Sequence, residues 1–150
     1  MARFLLDTNV LIRTANGLDA QNAIASGATV QLISDGHDVF LAAQNIIEFW
    51  SVATRPLANN GLNWDSSRVE QQVQTFLSRF HLLHDNPAIF EVWRQLVVTH
   101  QVRGKSVHDA RLVAAMQTHQ VTHMLTFNVV DFVRYPNITV VSPTSIGLVP

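Results

Sequence analysis

Arg3-Phe4-Leu5-Leu6-Asp7-Thr8-Asn9-Val10-Leu11-Ile12 is the stretch on which the fold turns. Its apolar run, Phe4 to Leu6, is too short for a helix and ends abruptly at Asp7, Thr8 and Asn9, after which an apolar segment resumes with Gly17 beyond it. That order reads as a buried strand, a polar helix start and a helix stop. An Asp directly after such a strand stands where parallel α/β sheets gather their functional groups, at the carboxyl ends of the strands.

Working outward, the same alternation continues. Asp19 to Ser34 is expected as a helix stopped by Gly36, Asp38 to Ala42 as a strand, and Gln44 to Thr54 as a helix that Pro56 must end. Pro56 to Asn63 is a turn-rich connector. Asp65 caps a helix carrying Val69, Val73, Phe76, Leu77 and Phe80, and His81 to His84 forms a short strand. Asn86-Pro87 opens a helix through about Val102, and Ser106 begins another that runs to about His119. His123 to Thr126, Asn128 to Val133 and Ile138 to Val141 then give strand, short helix and strand. Short apolar strands separated by helices predict an α/β fold, a mostly parallel central sheet covered by helices on both faces.

The 150 residues are 47% hydrophobic and 14% charged, which suits one compact domain over 1–150 that buries roughly 70% of its unfolded surface. No window offers the roughly 18 uncharged apolar residues of a membrane span. Met1 to Asp7 shows no signal-peptide pattern, and the absence of cysteine removes disulfides, thiolate metal sites and cysteine nucleophiles. A cytoplasmic address is the expectation. The net charge is -1, so a polyanion would have to be met by a local patch, and nine of the ten cations are Arg, whose planar fork suits phosphate.

Five polar positions fall where chemistry would. Asp7 is compatible with a plain helix N-cap, yet Thr8 and Asn9 add oxygen donors that a lone cap does not need. Glu48 lies in Ile46-Ile47-Glu48-Phe49-Trp50, whose apolar neighbours predict burial; a buried carboxylate requires a cation or a metal nearby. Asp109 has the spacing of a capping box with Ser106 as N-cap, and it also stands at the mouth of an apolar helix. Asn128 and Asp131 follow a strand and are each compatible with capping the next helix. Taken together, two strand ends and two helices bring oxygen ligands to one sheet edge. Carboxylates gathered there cannot all ionise without a cation, and an all-oxygen set selects a hard ion, Mg²⁺ or Mn²⁺. Such an ion supports phosphodiester hydrolysis without a protein nucleophile.

These residues also resemble a known family. Leu5-Leu6-Asp7-Thr8-Asn9-Val10-Leu11-Ile12 is similar to the opening of PIN domains, the PilT N-terminus type nuclease fold. Asn45-Ile46-Ile47-Glu48-Phe49 resembles their helix glutamate segment, Gly104-Lys105-Ser106-Val107-His108-Asp109 their later aspartate helix, and Thr126 to Phe132 their fourth acidic or amide segment. Order and spacing fit the VapC toxin branch best. The resemblance implies a three-layer α/β/α fold and an endoribonuclease dependent on Mg²⁺ or Mn²⁺. It further implies the toxin half of a type II toxin-antitoxin pair, acting on RNA as a homodimer and silenced by a small antitoxin. It makes Asp7, Glu48, Asp109 and Asn128 the catalytic set, with Asp131 a further candidate metal ligand. Many members carry Asp where this chain has Asn128, which leaves the site one charge less negative unless Asp131 reaches in.

Two other classes compete. A haloacid-dehalogenase-type phosphatase also opens on a strand and an Asp, but expects Asp-x-Asp where this chain has Asn9; a catalytically silent PIN-like module would use the acidic pocket to receive an Arg from a partner. Thr8, Asn9, Arg103 and Lys105 are candidate substrate contacts, the last two by pairing with phosphates. The seven histidines show no zinc pattern, and Trp50 and Trp93, in apolar helices, read as core.

Overall fold

The computed structural model describes residues 1–146. Five strands, β1 (Arg3–Leu6), β2 (Asp38–Ala42), β3 (His81–Leu83), β4 (His123–Leu125) and β5 (Thr139–Val141), form one sheet in the order β3-β2-β1-β4-β5. All four pairings are parallel, with Phe4 opposite Val39 and His123 on its two sides. Six helices connect them: α1 (Thr8–Ala15), α2 (Asn22–Ser34), α3 (Ala43–Thr54), α4 (Ser66–Arg79), α5 (Pro87–Thr99) and α6 (Ser106–Thr118). The α/β class and the three layers expected from the sequence are therefore present, and the sheet is wholly parallel.

Alternation along the strands divides the interior in two. Phe4 and Leu6 of β1 join Val39, Leu41 and Leu125 under α1 to α4, whereas Leu5 joins Phe40, Ala42 and Met124 under α5 and α6. Each fully buried side chain of this size stabilises the fold by roughly 1.5–3 kcal/mol. The sheet is consequently apolar on both faces, and its polar groups are confined to the strand ends.

Boundaries differ from the sequence reading where a local hydrogen bond intervenes. The second helix begins at Asn22 rather than Asp19, because Asp19 Oδ1 accepts from Gln21 N at 2.8 Å and closes a turn first. Asn22 Nδ2 then donates to the carbonyls of Arg13 and Thr14, satisfying the end of α1. Helix α5 stops at Thr99, short of Val102, because Gln101 takes a left-handed φ of 50° and Val102 N bonds back to Val97 O at 3.0 Å. Asn128 to Val133, expected as a short helix, contains only a 3₁₀ turn at Val129–Asp131.

The capping box at Ser106 does not form. Lys105 occupies the cap position in helical conformation with no side-chain cap bond, and the turn is instead closed by Val107 N to Gly104 O and His108 N to Lys105 O. Gly104, at φ 62°, permits this tight entry. Asp109 is thereby released from a capping duty.

Two glycines should respond oppositely to alanine. A Cβ on Gly61 would lie 2.0 Å from Arg55 O and 2.4 Å from its carbonyl carbon, so backbone must shift, and Gly61→Ala is expected to cost about 1–3 kcal/mol. Gly27 sits within α2 with nothing inside 4 Å of an added methyl, so Gly27→Ala is expected to gain about 0.5–1 kcal/mol. Chemical denaturation of the two variants checks both signs.

Candidate active site at the carboxyl edge of the sheet

Strands β1, β2 and β3 proceed to one side of the sheet and β4 and β5 to the other, so the order reverses between β1 and β4. A crevice opens at such a reversal, beyond the carboxyl ends of the two strands. Asp7 and Thr126 are the residues that follow β1 and β4 there. Asp7 N donates to Leu125 O at 2.9 Å, and Thr126 Oγ1 donates to Asp7 Oδ2 at 2.7 Å, so the two strand ends are stitched across the crevice.

Asp7 also caps α1, its Oδ1 accepting from Thr8 N at 2.8 Å. The capping reading and the functional one therefore hold for the same carboxylate. With 7% of its surface exposed, it carries a burial penalty that two donors offset only in part. Its pKa is pushed from the ordinary carboxylate value up to about 6, chiefly by burial, with the charges of Glu48 and Asp131 adding to the rise.

Asp109, on the first turn of α6, is pushed up to about 7. Burial is the largest cause, followed by the charges of Asp7, Asp131 and Glu48, while Arg134 opposes them. Carboxylates from β1, α3, α6 and the 3₁₀ turn after β4 thus act on one another across this edge. Among the described residues the ion pairs are Arg94–Glu91 and Arg111–Asp85, and neither involves these four acids.

Glu48 corrects the expectation of burial from its apolar neighbours. Helix α3 buries Gln44, Asn45, Phe49 and Ala53, which leaves Glu48 half-buried at the rim and Ile47 67% exposed. Its position is set by hydrogen bonds. Asn45 Oδ1 accepts from Ala42 N at 2.8 Å, its Nδ2 donates to Thr8 Oγ1 at 3.2 Å, and Thr8 Oγ1 donates to Glu48 Oε1 at 2.9 Å.

Asn128 and Asp131 are both exposed, and neither caps the 3₁₀ turn with its side chain. Asp131 is the one whose charge reaches Asp7 and Asp109. Asn9 has its amide engaged internally, Nδ2 donating to Thr126 Oγ1 and Oδ1 accepting from Phe127 N, both at 3.3 Å. The Thr8 and Asn9 side chains therefore bond within the protein, Thr8 to Glu48 and Asn9 to Thr126 and Phe127. Arg103 and Lys105 are exposed on the loop before α6.

The donor set is all oxygen, negative and, among the described residues, without an ion-paired cation, which suits a hard divalent ion in kind. It is spread in space: among the described residues no three His, Asp or Glu side chains form a group that would hold a metal ion by themselves. Thr126, Asn45 and Gln44 are the contributors that sequence reasoning missed. Thr126 and Asn45 are fully buried polar residues placed directly after a strand or within a helix turn of one, a signal of structural duty at that edge. Gln44 Nε2 donates to His108 O at 2.7 Å and fixes α6 against α3.

A family profile described as PIN domain matches residues 4–137. No curated protein matches the chain by sequence. Among solved structures, VapBC-1 from nontypeable Haemophilus influenzae is similar at TM-score 0.71 and 14% identity, covering 95% of this chain and 98% of that one. A toxin-antitoxin complex from Klebsiella pneumoniae gives TM-score 0.66 and 24% identity over 95% of this chain and 98% of that one. VapC20 of Mycobacterium tuberculosis, described as a sarcin-ricin loop cleaving toxin, gives TM-score 0.61 and 18% identity over 81% and 86%.

The raised Asp109 generates a stability test. A carboxyl whose folded pKa lies above its unfolded value binds protons more tightly when folded, so ionising it subtracts stability. That loss begins near the unfolded value of 3.8 and is complete above about 7. Asp109→Asn, which has no hydrogen bond to lose, should match the wild-type melting temperature near pH 4 in metal-free buffer. It should exceed it increasingly up to a plateau above pH 7, by roughly 2–4 °C for each kcal/mol recovered. A difference independent of pH would contradict the electrostatic origin.

Proposed function

Because the chain belongs to the PIN domain family, we propose that it is a metal-dependent endoribonuclease that hydrolyses RNA phosphodiester bonds, the toxin of a type II toxin-antitoxin pair. The observation that carries this reading is that four carboxylates from four elements act on one another at the β1/β4 crevice, with only the charge of Arg134 opposing them at Asp109 and no ion pair to any of the four among the described residues. A structural cluster would be ion-paired with Arg or Lys; this one, which Arg134 offsets only in part, leaves room for a cationic ligand. The solved structures described as toxin-antitoxin complexes, and the one described as cleaving the sarcin-ricin loop, support the direction.

Asp7, Glu48, Asp109 and Asp131 would hold Mg²⁺ or Mn²⁺, with the Asn128 amide beside them. A bound ion of this kind lowers the pKa of a water and neutralises charge on the phosphoryl and leaving oxygens. The protein's own contribution is positional. Thr126 and the Thr8 N–H aim the two oxygens of Asp7, and the Asn45-Thr8 chain holds Glu48. Arg103 and Lys105, on the open loop beside Asp109, would meet the RNA backbone. Asn9, which departs from the Asp-x-Asp pattern of a phosphatase, is committed to Thr126 and Phe127, so it supplies no general acid.

We place the chain as one nuclease domain over 1–150 acting in the cytoplasm, and among the described residues no helix is long and apolar enough to cross a membrane. A homodimer would cover exposed apolar side chains such as Val98 and Leu77 on the helices before Asp109. An antitoxin would place an Arg or Lys among the carboxylates, so metal and antitoxin should compete.

RNA cleavage should require Mg²⁺ or Mn²⁺ and cease with chelator. Asp109→Asn should lower it by about 100-fold or more, since even the partners behind a metal ligand are worth 10–100-fold. Thr126→Val, which removes the donor to Asp7 Oδ2, should lower it by about 10–100-fold. Unchanged cleavage by Asp109→Asn, or equal cleavage in chelator, would overturn the metal-site assignment, and no cleavage by the wild type with either metal would favour a silent binding module.

A further inference from the structure

A cavity of about 330 Å³ opens between α5 and the first turn of α6, lined by Asn86, Phe90, Trp93, Val107, His108 and Arg111. We infer that it receives a nucleobase of the RNA, unstacked beside the scissile phosphate and laid against Phe90. This rests on the ribonuclease reading for the identity of the polymer, and on the cavity alone for the chemistry of the ligand.

Position comes first. Val107 and His108 immediately precede Asp109, and neighbouring Cα atoms across a trans peptide are about 3.8 Å apart. On a helix, successive side chains are turned by about 100°, so the cavity and the acidic edge lie on adjacent sides of the same turn. The Gln44 amide braces this turn, donating to His108 O at 2.7 Å and accepting from Arg111 at 3.3 Å. An RNA strand with a phosphate at the acids brings its next base to this wall.

The lining matches a base in kind. Phe90 is 59% exposed, although the chain buries most of its large aromatic residues, and its ring is stacked on Trp93 at 6.0 Å with 27° between planes. Trp93 is fixed in turn, its Nε1 donating to Val107 O at 2.8 Å. The pair makes a platform that is rigid on the Trp93 side and open on the Phe90 side. Arg111 has five N–H donors, of which one is directed at Gln44 and one at Asp85, each at 3.3 Å. Its other three donors have no partner among the described residues, and the guanidinium of Arg94 lies 5.8 Å from the Phe90 ring centre.

A π-face beside surplus donors fits a flat ring with acceptors on its edge. Guanine presents O6 and N7 side by side to a guanidinium and covers more of the Phe90 face with its two fused rings than the single ring of cytosine does, which favours the purine. An apolar peptide side chain would leave the Arg111 donors unused. The cations here also suit a strand of phosphates arriving at an acidic centre, where the acids alone would repel it.

The test titrates guanosine monophosphate and cytidine monophosphate into the metal-free full chain and follows tryptophan fluorescence, which a base stacked beside Trp93 quenches. Guanosine monophosphate should quench and bind more tightly than cytidine monophosphate, and the signal should vanish in Trp93→Phe. Phe90→Ala should weaken binding by about 5- to 150-fold, the range for one base on one ring, and Phe90→Leu by less. With RNA as substrate, Phe90→Ala should raise KM and leave kcat within about twofold. Equal affinity of Phe90→Ala, quenching that persists in Trp93→Phe, or no quenching by either nucleotide would overturn the proposal. So would loss of a dimer in Phe90→Ala with nucleotide affinity intact, which would assign the ring to an interface. Because the titration needs neither metal nor turnover, a wild type that binds the nucleotide yet cleaves no RNA refutes the nuclease reading alone. Unchanged KM with brisk cleavage refutes the base site alone.

Discussion

A carboxylate is buried at the one point where the sheet reverses direction, and the arrangement around it follows from that constraint. Asp7 needs its backbone on β1, its Oδ1 on the N-terminus of α1 and its Oδ2 on Thr126 after β4. These bonds bring three elements together at a depth where water cannot solvate the charge. Each donor lowers the pKa, yet burial prevails and Asp7 stays near 6. The remaining cost is relieved either by a proton or by a cation supplied from outside.

Asp109 shares that condition for a partly different reason. It is less buried than Asp7, and after burial its rise comes from three neighbouring acids, Asp7 first among them. The Asp7 charge raises the Asp109 value, so removing it eases the ionisation of Asp109. A divalent ion answers both demands at once, whereas a lone Arg would answer the charge and block the crevice. On the proposed function, the same physics would let the edge receive a guanidinium in competition with a cation for one set of oxygens.

Much of the fold was legible because strand and helix signals were both local and strong. Phe4 to Leu6 followed by Asp7 marked the central strand and its functional end, and Asn86-Pro87 and Asp65 marked helix starts that the structure reproduces, Asn86 Oδ1 accepting from Ile89 N and Asp65 Oδ1 from Arg68 N. Stops were harder. Gly36 announces the end of α2, and α6 ends at Thr118 beside the expected His119, but α5 ends at Thr99, short of Val102, because Gln101 takes the left-handed region, where side-chain type gives no warning and tertiary packing decides. Ser106 and Asp109 carried the spacing of a capping box, yet Gly104 let the chain enter α6 by backbone turns and left Asp109 free. Apolar neighbours point to a deep Glu48, but periodicity places only one face of α3 inward, and Ile47 beside it is exposed. The acids themselves were visible in the sequence. Thr126 and Asn45, which aim them, were not, because their role exists only through partners about 119 and 37 positions away.

The central claim is that the carboxyl edge is charged beyond what the protein neutralises and is completed by a divalent cation. Carboxyl-carbon NMR titration of Asp7 and Asp109, with and without saturating Mg²⁺, tests it most directly. Without metal the two should titrate as a pair with apparent values near 6 and 7, and with Mg²⁺ both should fall well below them, since the ion favours the charged forms. Titration near the ordinary carboxylate value in metal-free buffer, or raised values that Mg²⁺ leaves unmoved, would contradict the account.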